Sequence, residues 1–394
     1  MQYRSLTEAD LPRCVWLEHY AFSSNPDPGN LARNRLSRFR GLFDGPNQVA
    51  QLELLALRLQ TGLGEIPAGG IGSVASAPET RRLGYVEALL RHTTNELRAT
   101  GVPLCLLYPF KRSFYGRYGW ATFFERRIYT GSPTLFAHFT PKTGPAGSFH
   151  AVDSAASDEL DRIYRGALRG RFGIFVRDAA WWDQEILHDW ERRPWHAYIW
   201  RDEHGVGRSY AIFRLETTND GRCFEGRELV ALDPVARAQL FIFIAGHQDQ
   251  VTSVRFRAPA DAPVNFLFPD PLNCTIQPHF MLRILDLPAA FANYTFPREV
   301  VGRLTIAVTD PWIAENHGVF AFEFAGGRCD VTRLAAETHA DVRCDIRVLT
   351  QLYSRYLRPR TAATFGLLAA PSREGLALLE RAFVGLPPFS PDYF

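Results

Sequence analysis

Between Gly69 and Trp120 the chain reads as an apolar strand, a basic turn with one glycine, a helix, a second apolar strand and a tyrosine-rich turn. This alternation places the chain in the α/β class. The turn, Arg81-Arg82-Leu83-Gly84-Tyr85-Val86, falls where the helix begins. A helix N-terminus offers unpaired N–H groups and a partial positive charge, which suits a pyrophosphate. Gly84 lets the backbone approach such a ligand, and the two arginines add charge. The competing reading is a solvated arginine pair, but positive charge there opposes the helix dipole unless an anion is bound.

The elements around this turn follow from pattern. Thr7 and Asp10 form a capping-box variant ahead of a helix ending near Phe22. Residues 23–46, rich in Asn, Pro, Gly and Arg, read as a mobile cover with a helix-like patch at Leu31–Phe43. Val49–Leu59 and Gly70–Ala77 read as buried strands, with a hairpin turn over Gly62–Ala68. Val86, Leu89, Leu90, Thr93 and Leu97 fall at helical spacing, and Gly101 stops that helix. Val102–Tyr108 is a further buried strand.

Three units are expected: residues 1–145, 146–285 and 286–394. The second repeats the α/β order, with helices at Ser157–Leu168 and Pro234–Gly246 and strands at Trp195–Trp200 and Val251–Arg257. Its Arg169-Gly170-Arg171-Phe172-Gly173 run mimics the basic turn. No strand signal directly precedes it and no amphipathic helix follows, so it reads as structural. The third unit holds a hairpin, Gly318–Ala325 and Arg328–Leu334, around Gly326-Gly327. Two helices follow it, Arg347–Leu357 and Ser372–Phe383.

Composition excludes several classes. A net charge of +2 argues against a strongly basic nucleic-acid binder. Six cysteines stand singly with no C-x-x-C, and the eleven histidines show neither H-x-x-x-H nor H-E-x-x-H, so no metal site is expected. No signal-peptide core or long apolar run occurs, so a cytoplasmic protein without membrane partners is expected.

Four features coincide further: the turn Arg81–Val86; Phe114-Tyr115-Gly116-Arg117-Tyr118-Gly119-Trp120; Met281-Leu282-Arg283-Ile284-Leu285-Asp286, which opens the third unit; and an aromatic last residue, Phe394. Together they resemble the Eis (enhanced intracellular survival) family of GNAT N-acetyltransferases, whose cofactor signature is Gln/Arg-x-x-Gly-x-Gly/Ala. Val86 departs slightly from its last position. The resemblance spans nearly the whole chain. It implies two tandem GNAT folds, the second degenerate, followed by a sterol-carrier-protein-like α/β domain, assembled as a hexamer.

It also implies a chemistry. Acetyl-CoA would lie with its pantetheine arm on the backbone of Val74, Ala75 and Ser76. Its pyrophosphate would lie on Arg81, Arg82, Leu83, Gly84, Tyr85, Val86 and Glu87. Tyr115 matches the general acid that protonates the departing thiolate; a phenol of pKa about 10 stays protonated beside a thiol of about 8.5. Phe394 matches the general base, through its main-chain carboxylate. The acceptor would be a primary amine on a small molecule or peptide: an aminoglycoside, a polyamine or a lysine side chain. One departure bears on that choice. The actinobacterial branch carries Ser-Glu where this chain has Phe110-Lys111, so an acidic contact for cationic substrates is missing. The alternatives are a longer-chain N-acyltransferase, which the separate third unit disfavours, and a lipid or small-molecule carrier using that third unit.

Overall fold

The computed structural model describes residues 1–24, 27–61, 64–139, 146–189, 193–369 and 372–394; the side chains of residues 30, 33 and 34 are outside this description. The chain divides into two compact units. One comprises residues 1–123, 279–385 and 394; the other comprises residues 124–278 and 386–393.

In the first unit the strands are β1 (Gln2–Ser5), β2 (Phe39–Asp44), β3 (Asn47–Thr61), β4 (Glu65–Ser76), β5 (Leu104–Leu107) and β6 (Ala121–Thr122). They pair in the order β1, β2, β3, β4, β5, then the distant strand Met281–Ile284, then β6. Within this strand order β4 and β5 run parallel, because they are joined through a helix, α3 (Tyr85–Ala99), as a parallel neighbour requires. Leu89, Leu90, Thr93 and Leu97 form the buried face of α3, and Gly101 adopts φ +75° after it. Their packing partners are Leu52 and Ile71 from the sheet, Cys105 and Leu107 from β5, and Trp120.

The capping box forms, with the Thr7 N–H and hydroxyl both donating to Asp10 at 2.8 Å. A short 3-10 turn, Glu8–Asp10, then leads into α1 (Leu11–Phe22).

The cover segment differs from expectation. It is helical only at α2 (Pro28–Asn34) and in a 3-10 turn at Leu36–Arg38. From Phe39 it is a strand, β2, between β1 and β3. Phe39, Leu42 and Phe43 are buried there, and strand pairing satisfies their backbone in the sheet, which a loop could not. Residues 25, 26, 62 and 63, within the expected cover and hairpin turn, lie outside the described residues.

Met281–Ile284, expected at the opening of the third unit, pairs antiparallel with β5 and β6. Its Arg283 is wholly buried against Asp310 at 2.6 Å. Gly119, at φ +87°, makes room for that guanidinium: a Cβ there would lie 2.7 Å from Arg283 Cζ. The tyrosine-rich turn and the Met281–Asp286 run are therefore two halves of one packing contact. The unit also holds a four-stranded sheet, ordered Arg328–Arg333, Gly318–Ala325, Gly302–Thr309, Val342–Asp345, with its hairpin at Gly326-Gly327.

The second unit is built on a seven-stranded sheet. In spatial order its strands are Asn273–Pro278, Glu125–Gly131, Ser253–Pro259, Gly221–Ala231, Gly207–Thr218, His196–Asp202 and Gly147–Val152. The expected helices form at Ser157–Leu168 and Pro234–Ala245. The Arg169–Gly173 run is a turn from the first of these helices into the strand Phe172–Phe175, with Gly170 and Gly173 both at positive φ.

Candidate functional site

β4 is the platform of the site. It pairs with β5 only from Ala68 to Ile71, against Leu104 to Leu107. β5 ends there, while β4 runs on to Ser76. On the β5 side, Gly72–Ser76 has no strand partner among the described residues. A bulge marks the place: the register with β3 shifts between Gln51 and Glu53, and Ser73 adopts φ +49°. Val74, Ala75 and Ser76 therefore present unpaired backbone groups, able to take an extended amide-bearing ligand as an added strand would be taken.

The turn beyond this edge is open. Pro78–Thr80 is a 3-10 turn, and Arg81, Arg82, Leu83 and Gly84 are all exposed. Arg82 at φ +65° and Gly84 at φ +84° curl the backbone into the left-handed region. No side chain caps α3; its first intrahelical bond runs from Ala88 N to Gly84 O. The N–H groups of Tyr85, Val86 and Glu87 thus remain available at the positive end of a four-turn helix. Arg81 stacks over Tyr20 at 5.2 Å, and the Tyr85 hydroxyl donates to Asp44 at 2.7 Å. Glu87 takes Tyr118 OH at 3.3 Å and Arg91 at 3.4 Å, which keeps its carboxylate partnered beside a would-be phosphate.

Tyr115 lies on the short helix α4 (Arg112–Gly116), just past β5. It is 2 % exposed and packs edge-on to Phe110, Phe114 and Trp120. Burial alone pushes its phenol above its usual pKa. Among the described residues its hydroxyl has no hydrogen-bond partner, so its proton is not committed elsewhere.

Phe394 belongs with the first unit. Its ring stacks on Phe280 at 5.1 Å and lies over β4, where a Cβ on Gly70 would be 3.0 Å from it and one on Gly72 3.7 Å. Tyr108, at the end of β5, meets Phe280 edge-on at 6.1 Å. Phe394 and Tyr115 are thus both tied to the residues that follow β5. This glycine cradle escaped the sequence reading, although the run Gly69-Gly70-Ile71-Gly72 signals a close approach to a strand face.

A buried acidic pair sits behind the bulge and was also missed. Glu18 on α1 accepts Ser73 Oγ and Gln51 Nε2, each at 3.2 Å. Burial, with a smaller push from the Glu53 charge, raises its pKa to about 7 against the pull of Arg35. Glu53 pairs with Arg35 and Arg38 from the former cover segment.

Comparison with known proteins assigns this architecture. Residues 2–123 and 173–284 match two family models, each described as an acetyltransferase (GNAT) domain, and residues 287–391 match a sterol carrier protein domain. An uncharacterized N-acetyltransferase of Streptomyces avermitilis is 26% identical over 319 residues, 77% of either chain. N-acetyltransferase Eis of Mycobacterium tuberculosis is 26% identical over 360 residues, 87% of this chain and 85% of its own. The solved structure of a GCN5-related N-acetyltransferase from Anabaena variabilis shares the fold over all of both chains, with a TM-score of 0.87 at 23% identity. A parted strand pair leading to an uncapped basic helix start, in a chain with two GNAT domains, defines a GNAT-type N-acetyltransferase. Among such enzymes, its similar relatives include proteins named N-acetyltransferase Eis, and its two GNAT domains followed by a sterol carrier protein domain match the Eis architecture.

Proposed function

We propose that this enzyme transfers the acetyl group of acetyl-CoA to a primary amine, with Tyr115 as general acid and the Phe394 carboxylate as general base. The observation that carries the reading is the unpaired β4 edge leading directly into the uncapped start of α3. The backbone of Val74, Ala75 and Ser76 holds the pantetheine amides, and residues Arg81 to Glu87 hold the pyrophosphate. The amine nitrogen loses its proton to the carboxylate and attacks the thioester carbonyl carbon. The C–S bond then breaks, and Tyr115 protonates the sulfur. The partnerless hydroxyl of Tyr115 supports its role, and the seating of the Phe394 ring on β4 supports the other.

The working division is residues 1–145 for acetyl-CoA, 146–285 as the second GNAT-like domain and 286–394 presenting the terminus. By family resemblance the protein is cytoplasmic and assembles as a homohexamer, which analytical ultracentrifugation tests. Phe110, 69% exposed and packed on Tyr115, stands where the actinobacterial branch has serine; it favours acceptors with an apolar body beside the amine over polycationic sugars.

Thiol release from acetyl-CoA across aminoglycosides, polyamines, lysine peptides and arylalkylamines tests the reading. Turnover with one class establishes it. A chain extended by a few residues after Phe394 should bind acetyl-CoA and fail to turn over; full activity in that chain removes the terminal carboxylate from the mechanism.

A further inference from the structure

The carbonyl of Tyr115 holds the turn that follows it: Tyr118 N donates to it at 3.0 Å and Trp120 N at 3.4 Å. Gly119 lies between those two donors and sits against Arg283, whose Nε and Nη1 would each be 2.9 Å from a Cβ there. Arg283 is wholly buried and gives one N–H to Asp310 Oδ2 at 2.6 Å. Among the described residues its Nε and Nη1 have no hydrogen-bond partner. Asp310 shapes a loop within residues matched by the sterol carrier protein model. Its Oδ1 accepts the N–H groups of Trp312 and Ile313, each at 3.1 Å. Ile313 thereby enters the core, and Trp312 packs on Tyr118 at 5.2 Å and Trp120 at 5.5 Å. Asn316 closes the loop: its Nδ2 donates to the Ile284 and Leu285 carbonyls at 3.2 and 3.3 Å, and its Oδ1 accepts Leu287 N at 3.2 Å. All these residues belong to the first unit.

Stability does not account for a guanidinium at this place. Burying N–H groups without acceptors costs free energy, and an apolar side chain would fill the same core without that cost. What the guanidinium adds is a flat, rigid body tied at one end to Asp310. It lies beneath a glycine held at φ +87°, one residue before the Trp120 N–H that holds the Tyr115 carbonyl. The Trp312 ring supports the same turn through Tyr118 and Trp120. The backbone that aims the Tyr115 side chain is thus seated on residues far along the chain.

We infer that Arg283, held by Asp310, is a positioning residue for the general acid, and that the loop from Asp310 to Asn316 buttresses the Tyr115 turn. The sterol carrier protein domain thereby takes a part in the acid's geometry. The inference rests on the reading of Tyr115 as general acid. Arg283 does not touch the reacting atoms; it acts through Gly119 and Trp120.

The test is steady-state kinetics of the full-length enzyme carrying Arg283→Met together with Asp310→Asn, a pair that leaves no buried charge unmatched. Acetyl-CoA affinity and unfolding temperature are measured alongside. The expected result is a fall in kcat of roughly ten- to a hundredfold, with KM for acetyl-CoA unchanged. Arg283→Lys keeps a charge opposite Asp310 but lacks the planar body beneath Gly119, so it should lower kcat as well. Trp312→Phe trims the contact on Tyr118 and Trp120 and should lower kcat by a smaller step. These two single variants decide the matter if the paired variant does not fold. In the Tyr115→Phe enzyme the same changes should cause no further loss, because the group they position is already gone. A kcat within about twofold of the parent in the folded variants, while Tyr115→Phe is impaired, overturns the positioning role and leaves the acid intact. An equal extra loss in the Tyr115→Phe enzyme marks a general packing defect and overturns it too. A Tyr115→Phe enzyme with the parental kcat removes the acid reading, and this inference with it.

Discussion

Tyr115 shows how a single side chain is prepared by its surroundings. Three aromatic rings pack around it, burial raises its pKa, and no group among the described residues claims its proton. Tyr115→Phe should lower kcat by about 10²-fold, the low end of what a general acid contributes, with acetyl-CoA affinity unchanged by calorimetry. Glu18 makes a different prediction. Its pKa, raised from about 4.5 to about 7, means the folded protein keeps a proton that the unfolded chain releases between those values. Folding stability from this group therefore falls as pH rises through that window. At about 1.4 kcal/mol per unit, the loss is complete above pH 7 and is at most about 3–4 kcal/mol. Glu18→Gln should remove the dependence and raise stability at pH 8 more than at pH 5; denaturant unfolding curves with the same pH dependence as the parent would refute this. The sequence did not reveal Glu18, because it lies on α1 while its partners Gln51 and Ser73 lie on β3 and β4, and only the fold brings them together. Tyr115 entered the reading through the resemblance of its Phe114–Trp120 run to the family motif; what local sequence shows is that Phe110, Phe114 and Trp120, which pack on it, are close in the chain.

At the scale of elements, what was legible was what local pattern determines. The face of α3 and the helix Ser157–Leu168 formed where they were read, whereas β4 begins at Glu65, within the stretch read as a hairpin turn, because Glu65–Ala68 already pairs with β3. Most of β2 fell in the helix-like patch Leu31–Phe43 of the expected cover, and only pairing with β1 and β3 makes it a strand. The turn before α3 was legible from its glycine and arginines. Gly84 at φ +84° has open space around it, so conformation alone limits substitution. Gly84→Ala should cost roughly 1 kcal/mol, weaken acetyl-CoA binding several-fold by calorimetry and leave the rest of the fold intact. Gly70 is limited by space: an added Cβ would meet Leu57 at 2.7 Å as well as the Phe394 ring. Gly70→Ala should destabilise by about 1–3 kcal/mol and lower kcat by unseating the terminus, as thermal unfolding and kinetics would register together.

For the whole molecule, order along the chain is not order in space. Residues 2–123 match one family model, yet their sheet is completed by Met281–Ile284, inserted between β5 and β6. No local signal announces that insertion. Met281–Ile284 reads as an apolar strand wherever it pairs, and Arg283 reveals its place only by fitting against Gly119. A fragment of residues 1–123 should therefore fail to unfold cooperatively, while the full chain does so; circular dichroism during heating distinguishes the two.

The same insertion sets a timetable. β5 is an apolar, fully buried strand that gains its second neighbour only when residue 284 has been made. At roughly 5–20 residues per second, it waits on the order of 10–35 s with one edge bare. A bare apolar edge invites pairing with other chains, so the vulnerable moment for this enzyme falls during its own synthesis, and slowing translation between residues 107 and 284 should increase the fraction lost to aggregation.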